Sequence, residues 1–198
     1  MVSTRFANRV RGRMLVVGKL VAKTHLTPNA ITVIGLGINV VVAAIIAGGN
    51  LILGGVLLIF AGLFDVVDGA VARVTNQTTK FGAFFDSTLD RYADAIVLGG
   101  LLFYFTQNGN DTTAIILTFV TLVGSLMISY TRSRAETLGI RGDVGFAQRA
   151  ERVIILSIAL IVGYPVWGLW VLAIVTHITV LQRVIHAWRA LGSSDSQP

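Results

Sequence analysis

Five carboxylates crowd one short region of an otherwise apolar chain. Asp65 and Asp68 stand three apart, and Asp86, Asp90 and Asp94 follow at intervals of four; together they are half of the 10 acidic residues. On helices, spacings of three and four put each set on one face. A carboxylate in an apolar segment is costly unless it meets a cation or another polar group. Five of them within reach of one another repel, so positive charge has to sit among them. Oxygen donors alone suit a hard divalent cation. The chemistry such a set serves is phosphoryl transfer, which needs positioning and charge neutralisation more than covalent help from the protein. Two divalent ions about 3.5–4 Å apart stabilise both the attacking and the leaving oxygen. Two carboxylates from each of two adjacent antiparallel helices can hold such a pair. The competing, purely structural reading pairs the same Asp residues with Arg73 and Arg91 to hold a bundle together.

The elements that carry these residues follow from composition. The chain has 198 residues, 54% of them hydrophobic and only 13% charged, against about 25% charged in an ordinary soluble domain. The expectation is an all-α polytopic membrane protein forming a single domain over 1–198. Cysteine is absent, which removes disulfides and thiolate metal sites. The formal charge of +6 suits a topology signal and anionic headgroups, so membrane lipids are expected partners and nucleic acid is not. Residues 3–24 carry Arg5, Arg9 and Arg13 among Phe6, Val10, Leu15, Val17, Leu20 and Val21. They read as an amphipathic interfacial helix, without the unbroken apolar stretch of a signal peptide.

Six spans are expected within 29–190: about 29–48, 51–74, 81–105, 112–138, 148–162 and 167–188, with a disordered tail over 192–198. Thr27-Pro28 starts the first, and Gly48-Gly49-Asn50, Gln107 to Asp111 and Gly163-Tyr164-Pro165 are turns. Those three turns contain no Lys or Arg. The positive-inside rule therefore places both termini, and the acidic residues near them, on the cytoplasmic side of the plasma membrane.

Written out, the acidic segment is Asp65-x2-Asp68-Gly69-x2-Ala72-Arg73-x8-Gly82-x3-Asp86-x3-Asp90. It resembles the signature of the CDP-alcohol phosphotransferase family at every defining position, and the resemblance extends over the whole chain. The resemblance implies that Asp65, Asp68, Asp86 and Asp90 bind metal, Mg2+ or Mn2+, two ions per active site. It implies that Asp90 also acts as the base on the acceptor hydroxyl. Asp68, Gly69, Ala72, Arg73 and Gly82 would line the site for CDP-diacylglycerol, or a CDP-lipid analogue, with Asn29 and Thr32 as further contacts and CMP as the leaving group. Homodimers are usual in the family. Asp94 lies outside the signature, as an Asp supporting the site or as a partner for an Arg.

The acceptor has to be read elsewhere. Arg132, Arg149 and Arg183 come from the ends or interior of three different expected spans. Arg residues gathered from separate helices suit a dianionic, phosphorylated alcohol, whereas ordinary snorkelling toward headgroups is the plain alternative. The segments Ser129 to Glu136 and Gly145 to Arg152 resemble those of actinobacterial phosphatidylinositol-phosphate synthases and archaeal inositol-phosphate lipid synthases. There the corresponding cluster holds inositol phosphate. Arg132 and Ser133 depart from a pattern with Lys and Ala, so glycerol 3-phosphate, the acceptor of phosphatidylglycerol-phosphate synthases, stays open beside inositol 1-phosphate. A cation-coupled transporter using the same Asp residues is the reading from another class.

Overall fold

The computed structural model describes residues 27–74, 79–142 and 144–194, with side chains outside 66–74 and 193–194. The expected interfacial helix over 3–24 lies outside the described residues. Among those described there are six helices and no strands: α1 Pro28–Ala47, α2 Leu51–Val74, α3 Lys80–Gln107, α4 Thr112–Thr137, α5 Arg149–Val162 and α6 Pro165–Ser194. Local chemistry sets their starts. Thr27, Asn50, Thr79 and Asp111 each accept a hydrogen bond from a backbone N–H of the first turn of α1, α2, α3 and α4, replacing partners that the helix cannot supply itself. Gly163 takes a left-handed φ of 81° and lets α5 turn straight into α6. The last helix runs past residue 188, where the sixth span was expected to end, through Ser194. Residues 195–198 lie outside the described set.

Three helices are long and apolar enough to cross a membrane: Pro28–Ala47, Thr112–Thr137 and Pro165–Gly192. Leu51–Asp65 is a shorter apolar stretch. Large apolar side chains such as Phe60, Phe103, Phe119, Trp167 and Ile174 stand exposed on the outside, the distribution expected where lipid replaces water.

The helices pack as a closed ring in the order α1, α2, α5, α6, α4, α3 and back to α1. Half of those contacts join helices that are not consecutive: α1 with α3, α2 with α5, and α4 with α6. Each has a glycine at its closest approach. A Cβ on Gly100 of α3 would lie 2.5 Å from the Ala43 carbonyl oxygen of α1. One on Gly55 of α2 would lie 2.8 Å from the Ser157 carbonyl oxygen of α5, and one on Gly124 of α4 would run into Thr176 of α6. Small residues of this kind bring backbones together where lipid provides no hydrophobic drive between helices.

The ring corrects one expectation. The two acidic helices are not adjacent: among the described residues α2 and α3 make no direct helix contact, and α1 lies between them on one side. Consecutive elements neighbour one another only about two-thirds of the time. The apolar core, with Ile46, Leu101, Leu160, Leu169 and Leu172, fills the end near the turns at 48–50, 108–111 and 163–164. The opposite end holds the charges.

Gly100→Ala should lower the melting temperature in detergent, because a rigid carbonyl has to move and overpacking costs roughly 1–3 kcal/mol. Gly99→Ala meets nothing within 4 Å and should leave it unchanged. Equal melting of the two variants would contradict the close α1–α3 approach.

Candidate active site

Asp65 sits toward the charged end of the bundle on α2, its Oδ1 beside the glycine at position 35 of α1. Asp86, Asp90 and Asp94 follow one face of α3, and Arg149 and Arg152 occupy the first turn of α5. These three helices meet through ion pairs. Arg149 Nη1 donates to Asp65 Oδ2 and lies 2.9 Å from Asp90 Oδ1. Its Nε reaches Asp94 Oδ1 at 3.4 Å. Arg152 Nη2 donates to Asp94 Oδ2 at 2.6 Å, and its Nη1 donates to the Ala147 carbonyl at 3.1 Å. Part of the structural reading is thus present among the described side chains, through Arg149 and Arg152; that of Arg73 lies outside them. The Arg91 guanidinium instead donates to the Ser87 carbonyl one turn earlier.

A cation at a helix N-terminus opposes the helix dipole. Arg149 stands there because three carboxylates, of Asp65, Asp90 and Asp94, surround its position. Two of them, from α2 and from α3, touch the same nitrogen atom. That is the arrangement of donors around one atom-sized positive charge, and all of them are hard oxygens. The set therefore fits a hard divalent cation, although among the described residues no three acidic, His or Cys side chains already stand as a metal shell. The guanidinium head of Arg149 takes the cation position here.

Beside this cluster opens a cavity of about 640 Å3, lined from α3 by Asp86, Asp90, Arg91 and Asp94, and from α4, α5 and α6 by Arg132, Arg149, Arg152 and Arg183 with Glu136 and Glu151 among them. The three Arg residues singled out from sequence thus come together, but in different states. Arg132 is half exposed and pairs with Glu136 at 2.9 Å, a contact worth only about 0.3–0.5 kcal/mol and easily exchanged for an anion. Arg183 is 6% exposed and donates to the Val144 carbonyl at 2.8 Å and to the Ile128 carbonyl. It braces α4 against the segment leading into α5. Arg149 bridges the cavity and the carboxylates. The N-cap of α5, Gln148, makes no side-chain cap bond, so first-turn N–H groups lack that partner at the cavity wall.

At the start of α3, one turn before Asp86, Asn29 and Gly82 come together: a Cβ on Gly82 would lie 3.3 Å from Asn29 Oδ1. Thr32 is one turn along α1, its hydroxyl donating to the Pro28 carbonyl at 3.1 Å. Helical backbone continues through the positions of Asp68, Gly69, Ala72 and Arg73, whose side chains lie outside the described residues.

The match that decides the family spans nearly this whole architecture: the family model for CDP-alcohol phosphatidyltransferase matches residues 25–188. The chain belongs to that family. A CDP-alcohol phosphatidyltransferase from Pyrococcus horikoshii, archaetidylinositol phosphate synthase, is 39% identical over 177 residues, 88% of this chain and 90% of its own. The phosphatidylinositol phosphate synthase of Mycobacterium tuberculosis is 38% identical over 183 residues, 87% of this chain and 84% of its own. The crystal structure of that synthase with CDP-DAG bound superposes with a TM-score of 0.83 at 35% identity, covering 88% of this chain and 93% of that one. Its complex with manganese and citrate gives 0.82, covering 88% of each.

The chain is accordingly an enzyme of phospholipid biosynthesis and a membrane protein, and the transporter reading falls away. Sequence reasoning missed Arg152, which is 7% exposed and holds Asp94. A signal was available: Arg149 and Arg152 are three apart at a helix start, hence on one face.

Proposed function

We propose that this phosphatidyltransferase moves the phosphatidyl group of CDP-diacylglycerol, or of a CDP-lipid analogue, onto inositol 1-phosphate and releases CMP. The observation that carries the reading is the shared cavity, lined by carboxylates from α3 and by Arg132, Arg149 and Arg183 from α4, α5 and α6. An acceptor bearing a dianionic phosphate matches three guanidinium groups, whereas serine or free inositol brings no such anion to them. Inositol 1-phosphate is favoured over glycerol 3-phosphate because the archaeal and mycobacterial relatives are both inositol-phosphate lipid synthases by name.

In this reading Asp65, Asp68, Asp86 and Asp90 hold two divalent ions, Mg2+ or Mn2+, which when bound neutralise the donor diphosphate. Asn29, Thr32, Asp68, Gly69, Ala72, Arg73 and Gly82 receive the cytidine diphosphate moiety. The Arg cluster holds the acceptor phosphate and turns its hydroxyl toward α3. Asp90 accepts the hydroxyl proton as the oxygen bonds to the phosphorus that bears the lipid. The bond from that phosphorus to the bridging oxygen breaks, and CMP leaves with the electron pair.

The proposed setting is a single domain over 1–198 working as a homodimer, with six spans, an interfacial helix over 3–24, and the termini and active site facing the cytoplasm. The absence of Lys and Arg from the turns at 48–50, 107–111 and 163–165 and the gathering of charged side chains at the other end support it.

Purified protein with CDP-diacylglycerol and manganese should release CMP with inositol 1-phosphate, and not with myo-inositol or serine. Asp90→Asn should lower that rate by roughly 10²–10⁴-fold, the usual share of a general base. Product with glycerol 3-phosphate alone would sink the inositol reading. For topology, the natural lack of cysteine allows single-cysteine labelling in intact cells. Gly109→Cys should react with a membrane-impermeant maleimide, and Gly139→Cys only after permeabilisation; the reverse pattern would invert the orientation.

A further inference from the structure

Asp94 lies one helical turn beyond the family signature, yet it is the hinge of the ion-pair network. Its two oxygens are divided between two Arg residues of α5. Oδ2 takes Arg152 Nη2 at 2.6 Å, and Oδ1 takes Arg149 Nε at 3.4 Å. Arg152 is in turn pinned at its other nitrogen by the Ala147 carbonyl, and the Ala147 N–H donates to Thr179 Oγ1 of α6 at 3.1 Å. An unbroken line of bonds thus runs from α6 through the start of α5 to α3. Asp94 also borders both the polar cavity and the apolar space beneath it, where water is scarce and a charged contact is strong.

We propose that Asp94 is a positioning residue for the acceptor: anchored by Arg152, it holds the Nε edge of Arg149 so that the Nη edge faces the reacting groups. The proposal rests on the reading that Arg149 meets the acceptor phosphate. The physical requirement is plain. Arg149 and Arg152 are like charges one turn apart, and without a shared carboxylate they would drive each other away. A long Arg side chain carries about 2 kcal/mol of rotamer entropy, so a guanidinium left unheld is badly aimed. Only a carboxylate accepts from both at once; an amide of the same size offers one oxygen and a donor that repels the second Arg.

The test is a double-mutant cycle with Asp94→Asn and Arg149→Ala, reading KM for inositol 1-phosphate and for CDP-diacylglycerol separately. Asp94→Asn should raise the acceptor KM about tenfold, the scale of a hydrogen bond to a charged group. The donor KM should stay within about twofold, because Asn29 and Gly82 lie about three turns from Asp94 along α3. Added to Arg149→Ala, the same change should have no further effect on the acceptor KM. Arg152→Lys, which keeps the charge but loses the forked geometry, should shift the acceptor KM in the same direction, and it carries the test where Asp94→Asn fails to fold. Parallel rises in both KM values, or full additivity with Arg149→Ala, would mean that Asp94 merely ties α3 to α5 and would overturn the proposal. An unchanged acceptor KM in Arg149→Ala alone would overturn the acceptor reading itself.

Discussion

Carboxylates of α2 and α3 close on one nitrogen of Arg149, and the charged end of the bundle is built around that contact. Two like unit charges about 4 Å apart repel by roughly 4 kcal/mol at the effective dielectric of a protein surface. That exceeds what an exposed ion pair returns. Without a cation between them, Asp65 and Asp90 would push α2 and α3 apart. With one, they draw together helices that do not otherwise touch. An anionic group at this end therefore serves two ends: it destabilises the empty bundle and makes it a receptor for positive charge, whether a guanidinium or a metal.

The ring explains how the carboxylates come to face one another. Non-consecutive contacts at Gly55, Gly100 and Gly124 seat α2 on α5, α3 on α1 and α4 on α6. That order inserts the start of α5 between the acidic faces and brings the end of α4 and the body of α6 to the same cavity. The three Arg residues then divide the work by how firmly each is held. Arg183 is committed to backbone carbonyls, Arg132 to a weak exposed pair, and Arg149 to the carboxylates themselves. In the proposed reading, an incoming acceptor phosphate would displace little at Arg132, meet Arg183 already fixed, and compete at Arg149 with the acidic set.

Much of this was legible in the sequence. The three- and four-residue Asp spacings gave the faces, Thr27-Pro28 marked the first helix start, and the turns at 48–50, 107–111 and 163–165 marked breaks, so the six helices fall close to expectation. The family signature was complete. What stayed hidden were relations between elements. Spacing tells which face a residue occupies but not which helix it meets, so α2 and α3 were taken as neighbours when α1 and α5 flank α2 instead. Arg152 went unrecognised because its partner, Asp94, is 58 residues away. Arg183 reads as a ligand by type; that it also donates to the carbonyls of Ile128 and Val144 is announced by no local pattern.

The central claim is that Arg149 fills a cation position defined by Asp65 and Asp90. Thermal unfolding of wild type and Arg149→Gln, each in chelator and in excess manganese, addresses it most directly. Removing the guanidinium should lower the melting temperature in chelator by several degrees, on the scale of about 2–4 °C per kcal/mol for a chain of this size, and manganese should restore most of the loss by binding the folded carboxylates. Identical melting of the two proteins in chelator, or a loss in Arg149→Gln that manganese leaves untouched, would contradict the account.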